Sequence, residues 1–137
     1  MEKTIGIAKA REGLSDLINE VAFGGERYVV ERRGKPLAAL IGVDEYRQLT
    51  ELLAEAGVND EVNGIPVRIR FDGDQYFISD DRVDQYGVGA TLQEAREDYA
   101  LAVRAYHADL LANADRLAKP LQAHLAYLNQ VLGQEPA

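Results

Sequence analysis

The first part of the chain combines a short alternating segment with a longer helical pattern. Thr4-Ile5-Gly6-Ile7 alternates in hydrophobicity and predicts a short strand. Between Ala8 and Phe23 the apolar residues recur at helical spacing, and Gly24-Gly25 follows as a typical helix end. The apolar positions of this predicted helix are Leu14, Leu17, Ile18 and Val21.

Two apolar runs and a second helical stripe follow. The runs Arg27–Arg32 and Leu37–Ile41 flank the turn sequence Arg33-Gly34-Lys35-Pro36, so together they predict a hairpin. Asp44 is placed to cap a helix that ends at Gly57. The predicted order over residues 1–57 is therefore β-α-β-β-α. So few strands leave sheet edges and apolar faces that one copy barely covers, which favours a dimer.

The second half begins with a polar segment and a strand pattern. Residues 58–64 are polar and predict a linker. From Val67 to Phe71 apolar residues alternate with arginines, which predicts a half-buried strand. Asp72-Gly73-Asp74 predicts a turn and Tyr76–Ile78 the returning strand, whereas 79–90 is predicted as a loop.

Long helical stripes fill the rest of the chain. Thr91-Leu92-Gln93-Glu94 has the form of a capping box at a helix start. Lys119-Pro120 is expected to break the stripe that follows, and a second helical piece continues to Leu132. The predicted fold class is α+β: an N-terminal β-α-β-β-α unit, then a β-hairpin and long C-terminal helices. Residues 65–133 form the second predicted domain, and 134–137 a tail.

Composition places the chain among ordinary folded proteins. Of its 137 residues, 47% are hydrophobic and 28% charged. No apolar run approaches the ~20 residues that cross a bilayer, and the N-terminus lacks a signal-peptide core. These features predict a cytoplasmic protein without membrane contact. With no cysteine, the chain has no disulfide, thiol nucleophile or thiolate metal site.

The net charge of −8 is unevenly distributed. Residues 1–48 contain eight basic and eight acidic residues, whereas residues 49–137 contain seven and fifteen. Phosphate attraction dominates affinity for nucleic acid. Only residues 1–48 are therefore candidates for DNA contact, and the acidic remainder suits a basic partner.

Catalytic and cofactor motifs are not found in the sequence. It has no phosphate-cradling glycine loop, no nucleophile elbow and no His-Glu metal motif. We therefore expect no enzyme activity, cofactor or metal. His107 and His124 are expected to be ordinary packing or surface residues. The acidic run Asp80-Asp81-x-x-Asp84 offers oxygen ligands to a divalent cation, so a metal-dependent enzyme is a weaker hypothesis. A solvated loop is favoured, because the glycine and the terminal glutamate of a calcium-binding loop are missing.

Arg11 is the most informative single residue. It precedes Leu14 by three positions and Ile18 by seven, so on one continuous helix it lies on the axis of the apolar stripe. It would also stand with Lys9 near the helix start, where the macrodipole disfavours cations by ~0.3–1 kcal/mol. A bound anion would remove both costs. The alternative is a local ion pair with Glu12 or Glu31.

The predicted hairpin tip supplies a second basic group: Arg32, Arg33 and Lys35. Charge at a hairpin tip is often merely solvated. On a rigid projection that a dimer repeats, however, three cations in four residues would form a spaced set of phosphate contacts.

Two blocks of N-terminal residues form a familiar pattern. The first is Thr4-Ile5-x-Ile7-Ala8-x-Ala10-Arg11-x-x-Leu14-Ser15-x-Leu17-Ile18, with Val21 before Gly24-Gly25. The second is Val30-x-Arg32-Arg33-Gly34-Lys35-Pro36-x-Ala38-x-Leu40-Ile41-x-x-Asp44-Glu45-Tyr46. This pattern, about 40% of the chain, resembles the Phd/YefM antitoxins. One departure is the helix start, where Ala8-Lys9-Ala10 replaces the usual cap residue.

The resemblance implies a dimeric DNA-binding protein. In that family the N-terminal unit binds an operator and represses a toxin–antitoxin operon, and the C-terminal segment wraps the toxin. The DNA contacts it implies here are Arg11, Lys9, Arg32, Arg33 and Lys35. Residues 65–133 depart from the family, because many members carry a short tail that is disordered until toxin binds.

A second, shorter pattern lies in the C-terminal half. Tyr86-Gly87-x-Gly89-x-Thr91-Leu92-x-Glu94-Ala95 is similar to the small β-β-α units of HicB-type antitoxins. Our leading hypothesis is an antitoxin whose N-terminal dimer binds operator DNA and whose acidic part holds a basic, ribonuclease-like toxin. The alternative is a non-DNA-binding oligomeric module, a homodimer or higher oligomer, derived from the same fold.

Overall fold

The computed structural model describes residues 2–133; the predicted tail 134–137 lies outside this range. The fold is α+β, as the sequence predicts, with helices and two separate sheets. The chain divides into two compact units, unit 1 up to Leu49 and unit 2 from Thr50.

Unit 1 is a three-stranded sheet with short helices. Its elements are β1 (Glu2–Gly6), α1 (Ile7–Glu12), α2 (Leu14–Gly24), β2 (Arg27–Arg32), β3 (Lys35–Leu40) and the start of α3 (Val43–Glu55). The strand order is β1-β2-β3, with β1 parallel and β3 antiparallel to β2. The helix connection between β1 and β2 is the usual link between parallel strands.

The core of unit 1 is small. Its buried residues are Ala10, Leu17, Val21 and Tyr28, with Ile5, Val30 and Leu40 packed around them. The Tyr28 hydroxyl donates to Glu20 Oε2 at 2.5 Å. This hydrogen bond to a carboxylate, together with burial, raises the pKa of Tyr28 to about 12.

The single helix predicted between Ala8 and Phe23 is wrong in one respect: it is divided in two at Gly13. That residue has φ −110° and ψ 29°, outside helical geometry, and ends α1 before α2 begins. Glycine is a poor helix former because its backbone is the most flexible. The predicted end at Gly24-Gly25 is confirmed, since Gly25 adopts φ +69° and caps α2.

Helix α3 crosses the boundary between the two units, so the predicted domain end at residue 57 differs from the division after Leu49. The helix begins at Val43, which places Asp44 in its first turn rather than before it. Its predicted end is confirmed: the Gly57 N–H donates to the Leu52 carbonyl at 3.1 Å, and Gly57 has φ +72°.

Unit 2 is a four-stranded antiparallel meander packed on two helices. The strands are β4 (Val58–Val62), β5 (Ile65–Phe71), β6 (Tyr76–Ser79) and β7 (Tyr86–Gly89), in the order β4-β5-β6-β7. The helices are α4 (Leu92–Ala112) and α5 (Lys119–Leu132), joined through a short 3₁₀ turn at Ala114–Arg116. The alternation predicted for β5 is confirmed, since Ile65, Val67 and Ile69 are buried.

The predicted linker at 58–64 is wrong. Residues 58–62 form β4, which pairs with β5 through a two-residue turn at Asn63-Gly64. The strand reads as polar because it lies at the sheet edge, with only Val62 buried. Arg96 of α4 reaches this edge and binds the Asp60 carboxylate and, at 3.3 Å, the Glu61 carbonyl.

The predicted loop at 79–90 contains β7, which the sequence analysis missed. Its glycines allow α4 to pack directly on the strand. A Cβ on Gly87 would lie 2.3 Å from the Tyr99 nitrogen, and one on Gly89 would lie 2.4 Å from the Ala95 nitrogen. The strand therefore lacks the β-branched and alternating residues by which strands are recognised.

The capping box at the start of α4 is confirmed. Thr91 Oγ1 accepts from the Glu94 N–H at 3.1 Å, and Glu94 Oε2 accepts from the Ala90 N–H at 3.1 Å. The predicted break near Lys119-Pro120 is also confirmed, because Pro120 lies in the first turn of α5. The buried face of α4 comprises Ala95, Tyr99, Val103, His107 and Leu110.

Candidate nucleic-acid interface

The two predicted basic groups start from the same end of the unit 1 sheet. Strands β1 and β2 run parallel, and Gly6 at the end of β1 pairs with Glu31 near the end of β2. Helix α1, with Lys9 and Arg11, begins directly after Gly6. The hairpin turn begins directly after Arg32. The register thus makes both groups follow the same end of the β1–β2 pair, although they are far apart in sequence.

Lys9 and Arg11 are both exposed on α1. Across residues 2–133 neither side chain makes a hydrogen bond or ion pair, so the alternative pairing of Arg11 with Glu12 or Glu31 is not observed. An exposed, unpaired guanidinium has its full set of donors available to an external anion.

The energetic reasons given for Arg11 from the sequence are wrong. Because the helix breaks at Gly13, Arg11 lies in the last turn of α1, where the helix dipole favours a cation. Nor does a buried stripe pass through it: Leu14 and Ile18 are 50% and 47% exposed. Arg11 is therefore neither buried nor strained by the dipole. Its candidacy rests on exposure, lack of a partner and position.

The hairpin tip is a tight two-residue turn. Arg33 and Gly34 have φ +52° and +77°, and Arg32 pairs with Lys35 across the turn. Positive φ at both central residues defines a type I′ turn. Arg32, Arg33 and Lys35 are exposed, and within the part of the chain that the structure describes none has an ion-pair or hydrogen-bond partner.

The five candidate cations differ from the other basic residues of unit 1. Lys3 pairs with Glu26 at 3.6 Å and Arg27 pairs with Glu45 at 2.5 Å. Arg47 also interacts with a neighbour. Among the described residues of unit 1, the unpaired basic side chains are thus the five that the sequence predicts as DNA contacts: Lys9, Arg11, Arg32, Arg33 and Lys35.

Arg33 adopts a positive φ, a backbone conformation that asparagine and glycine adopt more readily than arginine. The second two-residue hairpin of the chain uses Asn63-Gly64, the preferred type I′ pair, with φ +50° and +83°. A residue with a long side chain at positive φ is uncommon and carries a cost of order 1 kcal/mol. The turn itself therefore gives no reason for an arginine at this position.

We expect Arg33→Asn to stabilise unit 1 by up to about 1 kcal/mol, because it creates the Asn-Gly pair already used at residues 63–64. The same change removes a cation and should weaken DNA binding. Urea unfolding and DNA titration on one preparation measure both effects. A loss of stability would contradict the turn assignment, and Arg33→Lys, which keeps the charge, serves as the control.

Unit 1 exposes several large apolar side chains. Besides Leu14 and Ile18, the large exposed side chains are Phe23, Leu37, Val43, Tyr46 and Leu49. Tyr46 and Leu49 belong to a predicted helical stripe, and that periodicity is the signal that could have located part of this surface. So much apolar surface on a small unit is typical of an interface.

The acidic run of unit 2 was considered above as a possible metal site. Among residues 2–133, no group of three or more potential metal ligands occurs. Asp80, part of the acidic run considered above, is buried, with Oδ1 accepting from the Arg82 and Val83 N–H groups at 2.8 and 2.6 Å. Its Oδ2 accepts from the Gln85 N–H and the Tyr99 hydroxyl at 3.1 and 2.7 Å. This carboxylate is fully used in holding the loop to α4.

The two histidines join α4 to α5. His107 Nε2 lies 2.8 Å from Asn129 Oδ1, and His124 Nδ1 lies 2.6 Å from the Tyr106 hydroxyl. These contacts match the packing role predicted for them. No helix in the described range has the length and hydropathy to span a membrane.

The geometry defines a two-unit α+β protein whose N-terminal unit carries five exposed basic side chains without ion-pair partners among residues 2–133. Residues 2–63 match the family model of the Phd_YefM antitoxins of type II toxin–antitoxin systems. The match covers a little under half of the chain and supports an antitoxin role. It ends before residues 86–95, so the similarity of that segment to HicB-type units stays a prediction.

One solved structure is similar at low level. It is a crystal structure from Syntrophomonas wolfei subsp. wolfei titled "an antitoxin part of a putative toxin/antitoxin system". It is 17% identical, with a TM-score of 0.44, and the alignment covers 97% of this chain and 89% of that one. This similarity is too low to establish a common fold. The search of curated proteins found no match.

Proposed function

We propose that the chain is the antitoxin of a type II toxin–antitoxin system, a non-enzymatic cytoplasmic repressor that binds operator DNA as a dimer. The observation that carries the proposal is the set of five exposed cations that follow the same end of strands β1 and β2 and have no ion-pair partner among the described residues. They lie in the segment that matches the Phd_YefM family model. Cations with no internal partner are free to neutralise phosphates and release the counterions that dominate DNA affinity.

Dimerisation is supported by the exposed apolar surface of unit 1. A twofold dimer would bury part of that surface and repeat the five cations on both copies. Five cations in each copy would then give ten candidate phosphate contacts. A twofold arrangement fits an operator with palindromic half-sites about one helical turn apart.

The second part of the proposal is that unit 2 holds a basic toxin. Residues 49–137 carry fifteen acidic and seven basic residues. Complementary charge steers association and selects the partner. A ribonuclease-like toxin fits this surface, because a protein that holds RNA presents cations. Unit 2 has a buried core of its own, so it would bind as a folded module rather than as a segment that folds on contact.

Arg11→Ala tests the DNA-binding part. We expect at least a tenfold loss of operator affinity, because a twofold dimer loses two guanidinium contacts and each charge-assisted hydrogen bond is worth about 1.5–3 kcal/mol. The side chain has no partner among residues 2–133, so stability should change by less than about 0.5 kcal/mol. Gel retardation and urea unfolding measure the two effects.

The matched control for Arg11→Ala is Arg27→Ala, which removes a guanidinium that is paired with Glu45 in the same unit. This variant should retain operator affinity within a few fold. If Arg11→Ala retards operator DNA as well as the unmodified protein does, the assignment of Arg11 is wrong.

A further inference from the structure

Helix α4 carries an exposed stripe that the fold of unit 2 does not use. The stripe consists of Glu97, Leu101, Arg104, Ala108 and Leu111, spaced four, three, four and three residues apart, so all five lie on one face. Leu101 is 63% exposed and Leu111 51%, although the opposite face of α4 is buried. We call this set the outer stripe.

The charges of the outer stripe are not neutralised within the chain. Across residues 2–133, Arg104 has no hydrogen-bond or ion-pair partner. Glu97 accepts one hydrogen bond, from Gln93 Nε2 at 3.1 Å, and has no cationic partner. An acidic residue thus stands four positions before Leu101 and a basic residue three positions after it.

This order of charges is complementary to itself. When two copies of α4 lie antiparallel with their Leu101 side chains in contact, Glu97 of each copy lies level with position 105 of the other, one residue or about 1.5 Å along the axis from Arg104. A twofold axis through the contact therefore creates two identical ion pairs around a central leucine pair. In a parallel arrangement Glu97 would face Glu97 and Arg104 would face Arg104, which is repulsive.

We propose that the outer stripe is a contact between two copies of this chain, with their α4 helices antiparallel about Leu101. Self-complementary charge selects a second copy over a basic protein partner, because a basic partner would leave Arg104 facing like charge. Ala108 and its exposed neighbour Ala105 leave room for close helix approach. This contact goes beyond the proposed function and does not depend on DNA or toxin binding.

The test uses a single introduced cysteine, which is the only thiol because the natural chain has none. In full-length protein, Leu101→Cys places the thiol at the proposed twofold axis, and Asp109→Cys places it on an exposed position away from the stripe. Under mild oxidation we expect the Leu101→Cys protein to form a disulfide-linked dimer at least tenfold faster than the Asp109→Cys protein. Rates are normalised to each thiol's reaction with a neutral alkylating reagent, because neighbouring charges change thiol reactivity.

Charge reversal then tests the symmetry. In the Leu101→Cys background, Glu97→Arg alone and Arg104→Glu alone should each slow cross-linking about tenfold, since both ion pairs of the contact become repulsive. The double change Glu97→Arg with Arg104→Glu should restore the rate. An equal mixture of the two single variants should cross-link mainly between unlike copies, because each then faces opposite charge at both positions.

Failure of either the cysteine comparison or the charge-reversal series would overturn the proposal. The comparison fails with a Leu101→Cys rate no higher than the Asp109→Cys rate. The series fails with charge variants that all cross-link at the original rate, or a mixture with no preference for unlike pairs. Far-UV circular dichroism of each variant confirms that the helices are intact, so a slow rate reports on the contact and not on unfolding.

Discussion

Gly87→Ala is expected to destabilise unit 2 by about 3 kcal/mol or more, at or above the top of the usual range for core overpacking. The added Cβ would lie 2.3 Å from the Tyr99 nitrogen and 2.6 Å from the Ala95 carbonyl oxygen. Both atoms belong to the backbone of α4, so no flexible side chain can move aside. Strand β7 must separate from the helix, and the packing between them is lost.

The consequence should be the loss of a large share of the stability of unit 2 and a much lower unfolding temperature. A unit of this size has a total stability of only about 4–13 kcal/mol. Thermal unfolding followed by near-ultraviolet circular dichroism measures the effect, because Tyr99 and Tyr106 contribute to the ordered interior.

A second site and a control sharpen this prediction. Gly89→Ala should have a comparable effect, because its Cβ would lie 2.4 Å from the Ala95 nitrogen. Gly24→Ala meets no atom within 4 Å and should change stability by less than about 0.5 kcal/mol. A Gly87→Ala protein that unfolds like the unmodified chain would contradict the direct packing of β7 on α4.

Neutralising the hairpin tip is expected to produce the largest change in DNA affinity. The triple variant Arg32→Gln, Arg33→Asn and Lys35→Gln removes three exposed cations from each copy while keeping the turn geometry. A dimer loses six candidate phosphate contacts, so the slope of log K against log salt should become less negative by about 5. At about 0.1 M salt the affinity should fall by at least ~10³-fold.

The control removes equal charge elsewhere. Arg70, Arg116 and Lys119 are exposed residues of unit 2, and their joint replacement by Gln should leave the salt slope within about one unit of its original value. Equal slopes for the tip variant and the unmodified protein would show that the hairpin does not contact phosphates. Measuring each protein at several salt concentrations separates local contacts from the effect of net charge.

The sequence predicted those elements that are determined by residues close to one another in the chain. The alternation from Val67 to Phe71 predicted β5, whose side chains are alternately buried and exposed over most of its length. The capping box and the glycine-marked helix ends were predicted for the same reason, because caps and left-handed turns depend on neighbours in the chain. The three cations of the hairpin tip could also be placed from the turn sequence between β2 and β3, and their contact with DNA stays a prediction.

The missed features depend on tertiary contacts. Strand β7 is recognisable only from the closeness of α4 to Gly87 and Gly89, which no local pattern encodes. Strand β4 has the polar composition of a linker because an edge strand tolerates polar residues. The break at Gly13 is hidden by the helical spacing of the residues on either side of it, and it places Arg11 in the last turn of α1 instead of near the start of one long helix.

Recognition of a DNA operator by unit 1 can be measured in a binding competition. Full-length protein is titrated at about 0.15 M salt with a duplex from the region upstream of its own coding sequence, and with a scrambled duplex of equal length and composition. We expect the affinity for the natural duplex to be at least ~10³-fold higher than the affinity for the scrambled one. Equal affinity for the two duplexes, or no binding to either, would contradict operator recognition by unit 1.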